Sequence, residues 1–304
     1  MWIHVIPHFQ TFLANLELKP DERADAETKA DGVARCLWKK FWLGPFNSRC
    51  YVKVGSYGKQ TAVRPPSDLD MLFILPVSEY TRIEALQGNK QSQLLRQVKE
   101  TLQDSYPNTD LSADGQIVLA PFQTYSVEVV PAFNWDGTSY VTANTANNGS
   151  WRHTNPAAEF AAIQLADSLS VGKATHLIRM LKAWKRECSV ELKSISMEVL
   201  ACEFVKQWTY RHQTIYYYDW MIRDFFEYMH PYENGGWTRV PGTAEVIHLG
   251  DEWITKRQSA YQRAIKACVY ERADMEQEAA AEWRKVFGWQ FSYRSALAMA
   301  LASV

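Results

Sequence analysis

Apolar residues recur at helical spacing from the start of the chain: Phe9, Phe12, Leu13 and Leu16, then Val33, Leu37 and Phe41, with Pro20 dividing two predicted helices. The period then changes. Tyr51-Val52-Lys53-Val54 alternates and is β-rich, Gly55-Ser56-Tyr57-Gly58 interrupts it, and residues 69–75 read as a second, buried strand. Residues 80–102 read helical, while residues 116–119 and 125–130 read as further strands, the second ended by Pro131. The sheet is thus expected to lie before about residue 135. Asn, Thr, Gly and Ser dominate residues 143–156, which predicts a loop and a boundary. Beyond it the pattern is helical. Leu177, Ile178, Leu181 and Trp184 make one stripe, Ile195, Val199, Cys202 and Val205 another, and residues 253–287 a long last region that Asp251 is placed to cap.

Composition narrows this picture. A chain of 304 residues with 47% hydrophobic content can bury one large core or two medium ones. Lysine and arginine total 33 against 34 acidic residues, so no global positive field exists to hold a nucleic-acid backbone, and no stable nucleic-acid partner is expected. The five cysteines are scattered and form no C-x-x-C pair, so they read as reduced core residues. The opening Met1-Trp2-Ile3-His4-Val5-Ile6-Pro7 lacks the basic and long apolar regions of a signal peptide, and no later run is uncharged for the length of a membrane span. The expectation is a cytoplasmic protein without a membrane partner.

The candidate chemistry sits in the β-rich part. In Ser67-Asp68-Leu69-Asp70 side chains alternate between sheet faces, so Asp68 and Asp70 emerge on one side at the start of a strand. Two neighbouring carboxylates repel unless a cation lies between them, and a pair of Mg²⁺ ions suits phosphoryl transfer, which must activate a hydroxyl and neutralise a triphosphate. Glu128 offers a third oxygen ligand from another strand, with Val127 and Val129 on the opposite face. The alternative for Glu128 is a strand-edge carboxylate paired with lysine or arginine. Gly55 and Ser56, directly after a strand, present amides and a hydroxyl suited to a phosphate, twelve residues before Asp68 and with Lys59 and Arg64 in between.

Gly55-Ser56-Tyr57-Gly58-Lys59-Gln60-Thr61-Ala62-Val63-Arg64, followed by Ser67-Asp68-Leu69-Asp70, resembles the polymerase-β-like nucleotidyltransferases, specifically the bacterial cyclic-oligonucleotide synthases called CD-NTases. Cyclic GMP-AMP synthase and oligoadenylate synthase are the animal relatives. Val127-Glu128-Val129-Val130-Pro131-Ala132-Phe133, the helix from Leu177 to Lys185 and Leu192-Lys193-Ser194-Ile195-Ser196-Met197-Glu198 are similar to the same group. The resemblance implies an α+β fold: a nucleotidyltransferase core of mixed sheet and helices with an N-terminal spine helix (residues 1–158), and a C-terminal helical lobe (residues 159–304) closing a nucleotide cleft.

It further implies that Gly55 and Ser56 contact the triphosphate, that Asp68 and Asp70 bind two Mg²⁺ ions (Mn²⁺ substituting), and that Glu128 takes the third metal position and helps activate the acceptor hydroxyl. Lys182 and Ser194 fall where the family binds phosphate. On the residues alone, Lys182 reads equally as a solvated lysine opposite an apolar stripe and Ser194 as a helix cap. The implied activity is template-independent synthesis of a cyclic di- or trinucleotide from ribonucleoside triphosphates, ATP and GTP foremost, as a second messenger in bacterial anti-phage defence. Regulatory partner proteins and a downstream effector follow from the same resemblance. A linear or transferase product, and a catalytically silent nucleotide binder, are the competing readings. The family more often has aspartate where Glu128 stands, and no cysteine–histidine pattern here matches the animal enzyme's zinc insertion. Trp208, Trp220, Trp237 and Tyr216-Tyr217-Tyr218 read either as base-stacking surfaces or as packing.

Overall fold

A computed structural model describes residues 4–292. In chain order it contains α1 (Val5–Leu16), α2 (Pro20–Phe41), β1 (Tyr51–Lys53), the single turn α3 (Gly55–Gly58), β2 (Leu69–Ile74), α4 (Val77–Glu84), α5 (Lys90–Ser105), β3 (Ser112–Asp114), β4 (Ile117–Pro121), β5 (Ser126–Asn134), β6 (Tyr140–Asn144) and β7 (Ser150–Thr154). Then follow α6 (Pro156–Ser170), α7 (Lys173–Glu187), α8 (Ser194–Gln207), α9 (Tyr218–Tyr228), β8 (Trp237–Arg239), β9 (Val246–His248), α10 (Ile254–Arg272) and α11 (Glu276–Phe287). Among the described residues, no helix is long and apolar enough to cross a membrane.

Residues 18–160 and 241–243 form one compact unit, the core unit. Its seven-stranded sheet runs β1-β2-β5-β4-β3, with β6 pairing β5 and β7. β2 and β5 are parallel, and the other pairs are antiparallel. Period-two alternation gives the sheet two unlike faces. Leu69, Met71, Phe73, Val127 and Val129 enter the main core with Val33 and Leu37 of α2 and Leu94, Leu95 and Val98 of α5. Leu72, Ala132 and Tyr140 lie in a smaller cluster with Val52, Val54, Ile74 and Val130. Asp70 and Glu128, by alternation, share the face of this smaller cluster. α2 starts where the sequence provides for it, with Pro20 at its first position and the Lys19 amide donating to Glu22 at 2.7 Å.

The helical unit comprises residues 4–17, 161–240 and 244–292 of the described chain. The resemblance groups the N-terminal helix with the core; α1 falls in this unit, where Phe9 meets Trp283 and Phe291, and Phe12 meets Phe287. Burying a large apolar side chain in this way stabilises by about 1.5–3 kcal/mol.

Other expectations change with the structure. β5 continues through Pro131 to Asn134 and pairs Ala132 with Thr142 of β6, so Pro131 does not end the strand. The polar stretch expected to be a loop holds β7, and the sheet extends to Thr154 rather than stopping near residue 135. The helix read over residues 80–102 is two helices, α4 and α5, and Asn89 caps the second through the Ser92 amide. The last region divides at Asp274, whose φ of 56° is left-handed. Trp253, not Asp251, is the N-cap of α10. The hairpin β8–β9 is absent from the sequence reading.

Candidate active site

Asp70 is the second residue of β2 and pairs in register with Glu128 of β5. A parallel pair in register places both side chains on one face as direct neighbours. Asp68 stands just before β2 and is exposed. Burial, and then the negative charge and a hydrogen bond of Asp70, push the Glu128 carboxyl up to about 7, with the charge of Asp68 acting in the same direction. The partner of Glu128 is therefore an acid rather than the lysine or arginine of the alternative reading. Among the described residues, no three His, Cys, Asp or Glu side chains already stand gathered to hold a metal ion. The donor chemistry does fit a hard divalent cation: Asp68, Asp70 and Glu128 offer only oxygens, and positive charge there relieves the repulsion that raises Glu128.

The Gly55-Ser56 turn is built onto the same residue. The Val54 amide donates to the backbone oxygen of Asp70 at 2.9 Å, and α3 begins one residue later. Gly55 has φ 54°, and a Cβ there would collide with the Asp70 carboxylate. Gly58 approaches the backbone of Lys53 so closely that a Cβ would meet its carbonyl oxygen. Both glycines thus have a steric cause, and the turn holds its place against β2. Lys59 and Arg64, which the sequence places in this loop, pair with carboxylates: Lys59 with Glu159 at 2.9 Å and Arg64 with Glu22 at 3.0 Å.

In the helical unit, Lys182 of α7 pairs with the buried Glu198 of α8 at 3.2 Å, and is itself mostly buried rather than solvated. Ser194 is exposed; it is the first residue of α8 rather than its cap, and its hydroxyl accepts from Lys185 at 3.4 Å. Burial pushes the Lys185 ammonium below its ordinary value. Glu198, Lys185 and Glu159 carry no assignment in the sequence reading. For Glu198, the signal is its spacing four residues beyond Ser194, among the apolar residues Ile195, Met197, Val199 and Leu200.

The aromatic residues divide. Trp208 is buried and donates to Asp224 at 3.0 Å, Tyr218 packs on Phe9 and His176, and Tyr217 packs on Tyr210 and Trp220. Trp237 is half exposed.

Residues 3–166, more than half of the chain, match the family of the Second Messenger Oligonucleotide or Dinucleotide Synthetase domain. The chain belongs to this family, the bacterial CD-NTases. It is a nucleotidyltransferase. A probable cyclic nucleotide synthase of Bacillus cereus strain VD146 is 23% identical over 277 residues, covering 78% of this chain and 80% of that protein. Solved structures that share the fold include two from bacteria. Vibrio cholerae DncV cyclic AMP-GMP synthase, in complex with the linear intermediate 5′ pppA(3′,5′)pG, is 14% identical with a TM-score of 0.67, covering 92% of this chain and 93% of its own. Escherichia coli MS115-1 CdnC in its HORMA-deltaN complex is 16% identical with a TM-score of 0.66, covering 95% and 98%. The CD-NTase fold of this chain is that of a polymerase-β-like nucleotidyltransferase.

Proposed function

We propose that this CD-NTase joins ribonucleoside triphosphates, ATP and GTP foremost, into a cyclic di- or trinucleotide. The observation that supports it most is the adjacency of Asp70 and Glu128 across the parallel strand pair, with Gly55 packed against Asp70. Gly55 and Ser56 bind the triphosphate of the donor nucleotide, and Lys182 and Ser194 are further phosphate contacts by their family positions. Asp68, Asp70 and Glu128 hold two divalent cations, Mg²⁺ or in its place Mn²⁺, which when bound neutralise the triphosphate and lower the pKa of the attacking hydroxyl.

In each round a 3′ or 2′ hydroxyl forms a bond to the α-phosphorus of the other nucleotide, the bond to the β-phosphate oxygen breaks, and pyrophosphate leaves. Glu128 helps to activate the hydroxyl. A second round closes the ring. That DncV was captured with a linear intermediate supports this order. The product acts as a second messenger in anti-phage signalling in the cytoplasm. A regulatory protein partner is part of the proposal, as the HORMA complex of CdnC suggests by analogy. The test is product analysis: purified chain with Mg²⁺ and four ribonucleoside triphosphates should give phosphatase-resistant product, and phosphatase-sensitive product alone would replace cyclisation with linear synthesis.

A further inference from the structure

The single turn α3 is too short to hold itself, since a helix gains its stability only over several turns. Its backbone is closed by the Lys59 amide donating to Gly55 at 3.1 Å and the Thr61 amide donating to Ser56 at 2.9 Å. One end is tied to β2 through the Val54 bond to Asp70. The other end is tied by a side chain. Lys59 is only 7% exposed, and its Nζ donates to Glu159 Oε2 at 2.9 Å. Glu159 lies in the first turn of α6, where its amide donates to Asn155 and the Asn155 side chain accepts from Ala158. The ion pair borders a recess of about 220 Å³ whose lining includes Val52, Val54, Tyr140 and Phe160.

We propose that Glu159 and Lys59 are positioning residues: their ion pair is a strut that fixes the Gly55-Ser56 turn against α6, as the Val54 bond fixes it against Asp70. A buried ion pair contributes little to stability over apolar residues of similar volume, so stability is a poor reason for its presence. Geometry is a better one. The residue whose amide closes the turn on Gly55 also has its ammonium held by Glu159, so the ion pair restricts where the end of the turn can sit. The inference deepens the nucleotidyl-transfer reading and rests on it.

Three variants test the strut: Glu159→Gln, the reach-conserving pair Lys59→Arg/Glu159→Asp, and the uncharged pair Lys59→Met/Glu159→Leu. Pyrophosphate release gives KM and kcat, hydrogen exchange of the Lys59 and Thr61 amides reports on the turn without substrate, and melting reports on the fold. Glu159→Gln should raise KM for the triphosphate roughly tenfold while kcat changes less than about twofold, the signature of lost ground-state positioning. Its two amides should exchange faster. The Arg/Asp pair should restore both, and the Met/Leu pair should melt like wild type yet keep the raised KM. Unchanged exchange in Glu159→Gln, or a normal KM in the Met/Leu pair, would overturn the inference. Failure of the wild-type chain to release pyrophosphate would overturn the functional reading instead, and the exchange result would still decide the strut.

Discussion

Asp70 and Glu128 face each other in register across two parallel strands, with burial and the negative charge of Asp70 holding the Glu128 carboxyl near neutrality at about 7. Like charges placed side by side in a half-buried setting are costly, and a fold keeps them where a cation or a phosphate chemistry uses them. The same Asp70 anchors the preceding turn through its backbone oxygen, so one residue links the metal-type ligands to the phosphate-type turn.

Gly55→Ala tests that link. The new Cβ collides with the Asp70 carboxylate, and the left-handed φ of 54° adds backbone strain of about 1–2 kcal/mol. The fold should survive with a modest loss in melting temperature. Pyrophosphate release should fall about 100-fold, the scale of a misplaced reacting group.

Glu128→Gln keeps the size of the side chain and removes its charge. Activity should fall by more than about 100-fold, as expected when one charged group is lost from a preorganised site. Melting at pH 8 should hold or rise, because the variant no longer places two carboxylates together. Loss of stability without loss of activity would count against a catalytic role.

Lys182 and Ser194 separate by their different settings. Lys182→Ala should raise KM about tenfold or more, reflecting a charge-assisted hydrogen bond of about 1.5–3 kcal/mol, and should also lower melting because Glu198 loses a buried cationic partner. Ser194→Ala should also raise KM about tenfold, since its hydroxyl would donate to an anionic phosphate in a bond of about 1.5–3 kcal/mol, but should leave melting alone because the residue is exposed. Titrating both variants with triphosphate checks this.

Much of this site is legible in the sequence because it rests on local rules. Asp70 and Glu128 show through alternation along their own strands, and Gly55 through its place at a strand end. Their pairing is not local. That β2 lies beside β5, fifty-odd residues on, follows from the closing of the sheet, and so do the in-register neighbours. Glu159 stayed hidden for the same reason: nothing in its helix marks it, and only the fold carries Lys59 to it. Pro131 misleads in the opposite sense, since β5 runs through it to Asn134 while Phe73 stands beside it in β2. α1 has a clear apolar stripe, yet the stripe does not say which aromatic cluster receives it; Trp283, Phe287 and Phe291 lie more than 260 residues away.

Stability in the helical unit should depend on pH through Asp219. Burial raises its carboxyl from an ordinary 3.8 to about 7, against the opposing bond from the Trp220 backbone, with Glu271 raising it further and Arg223 opposing. The folded state thus binds the proton more tightly than the unfolded state. Its contribution is whole below about pH 4, is lost progressively as pH rises through 7, and becomes a fixed penalty above. Asp219→Asn should therefore melt several degrees above wild type at pH 8 and close to it at pH 4. Equal gaps at the two pH values would contradict the assignment.

Nucleotidyl transfer at Asp68, Asp70 and Glu128 is tested by product analysis of the purified chain beside Asp68→Ala/Asp70→Ala. Both are incubated with Mg²⁺ or Mn²⁺ and four labelled ribonucleoside triphosphates, treated with phosphatase and separated. Wild type should give a phosphatase-resistant product and released pyrophosphate, and the variant neither. An equal yield of product from the variant, or intact triphosphates with both proteins under either cation, would contradict transfer at these residues.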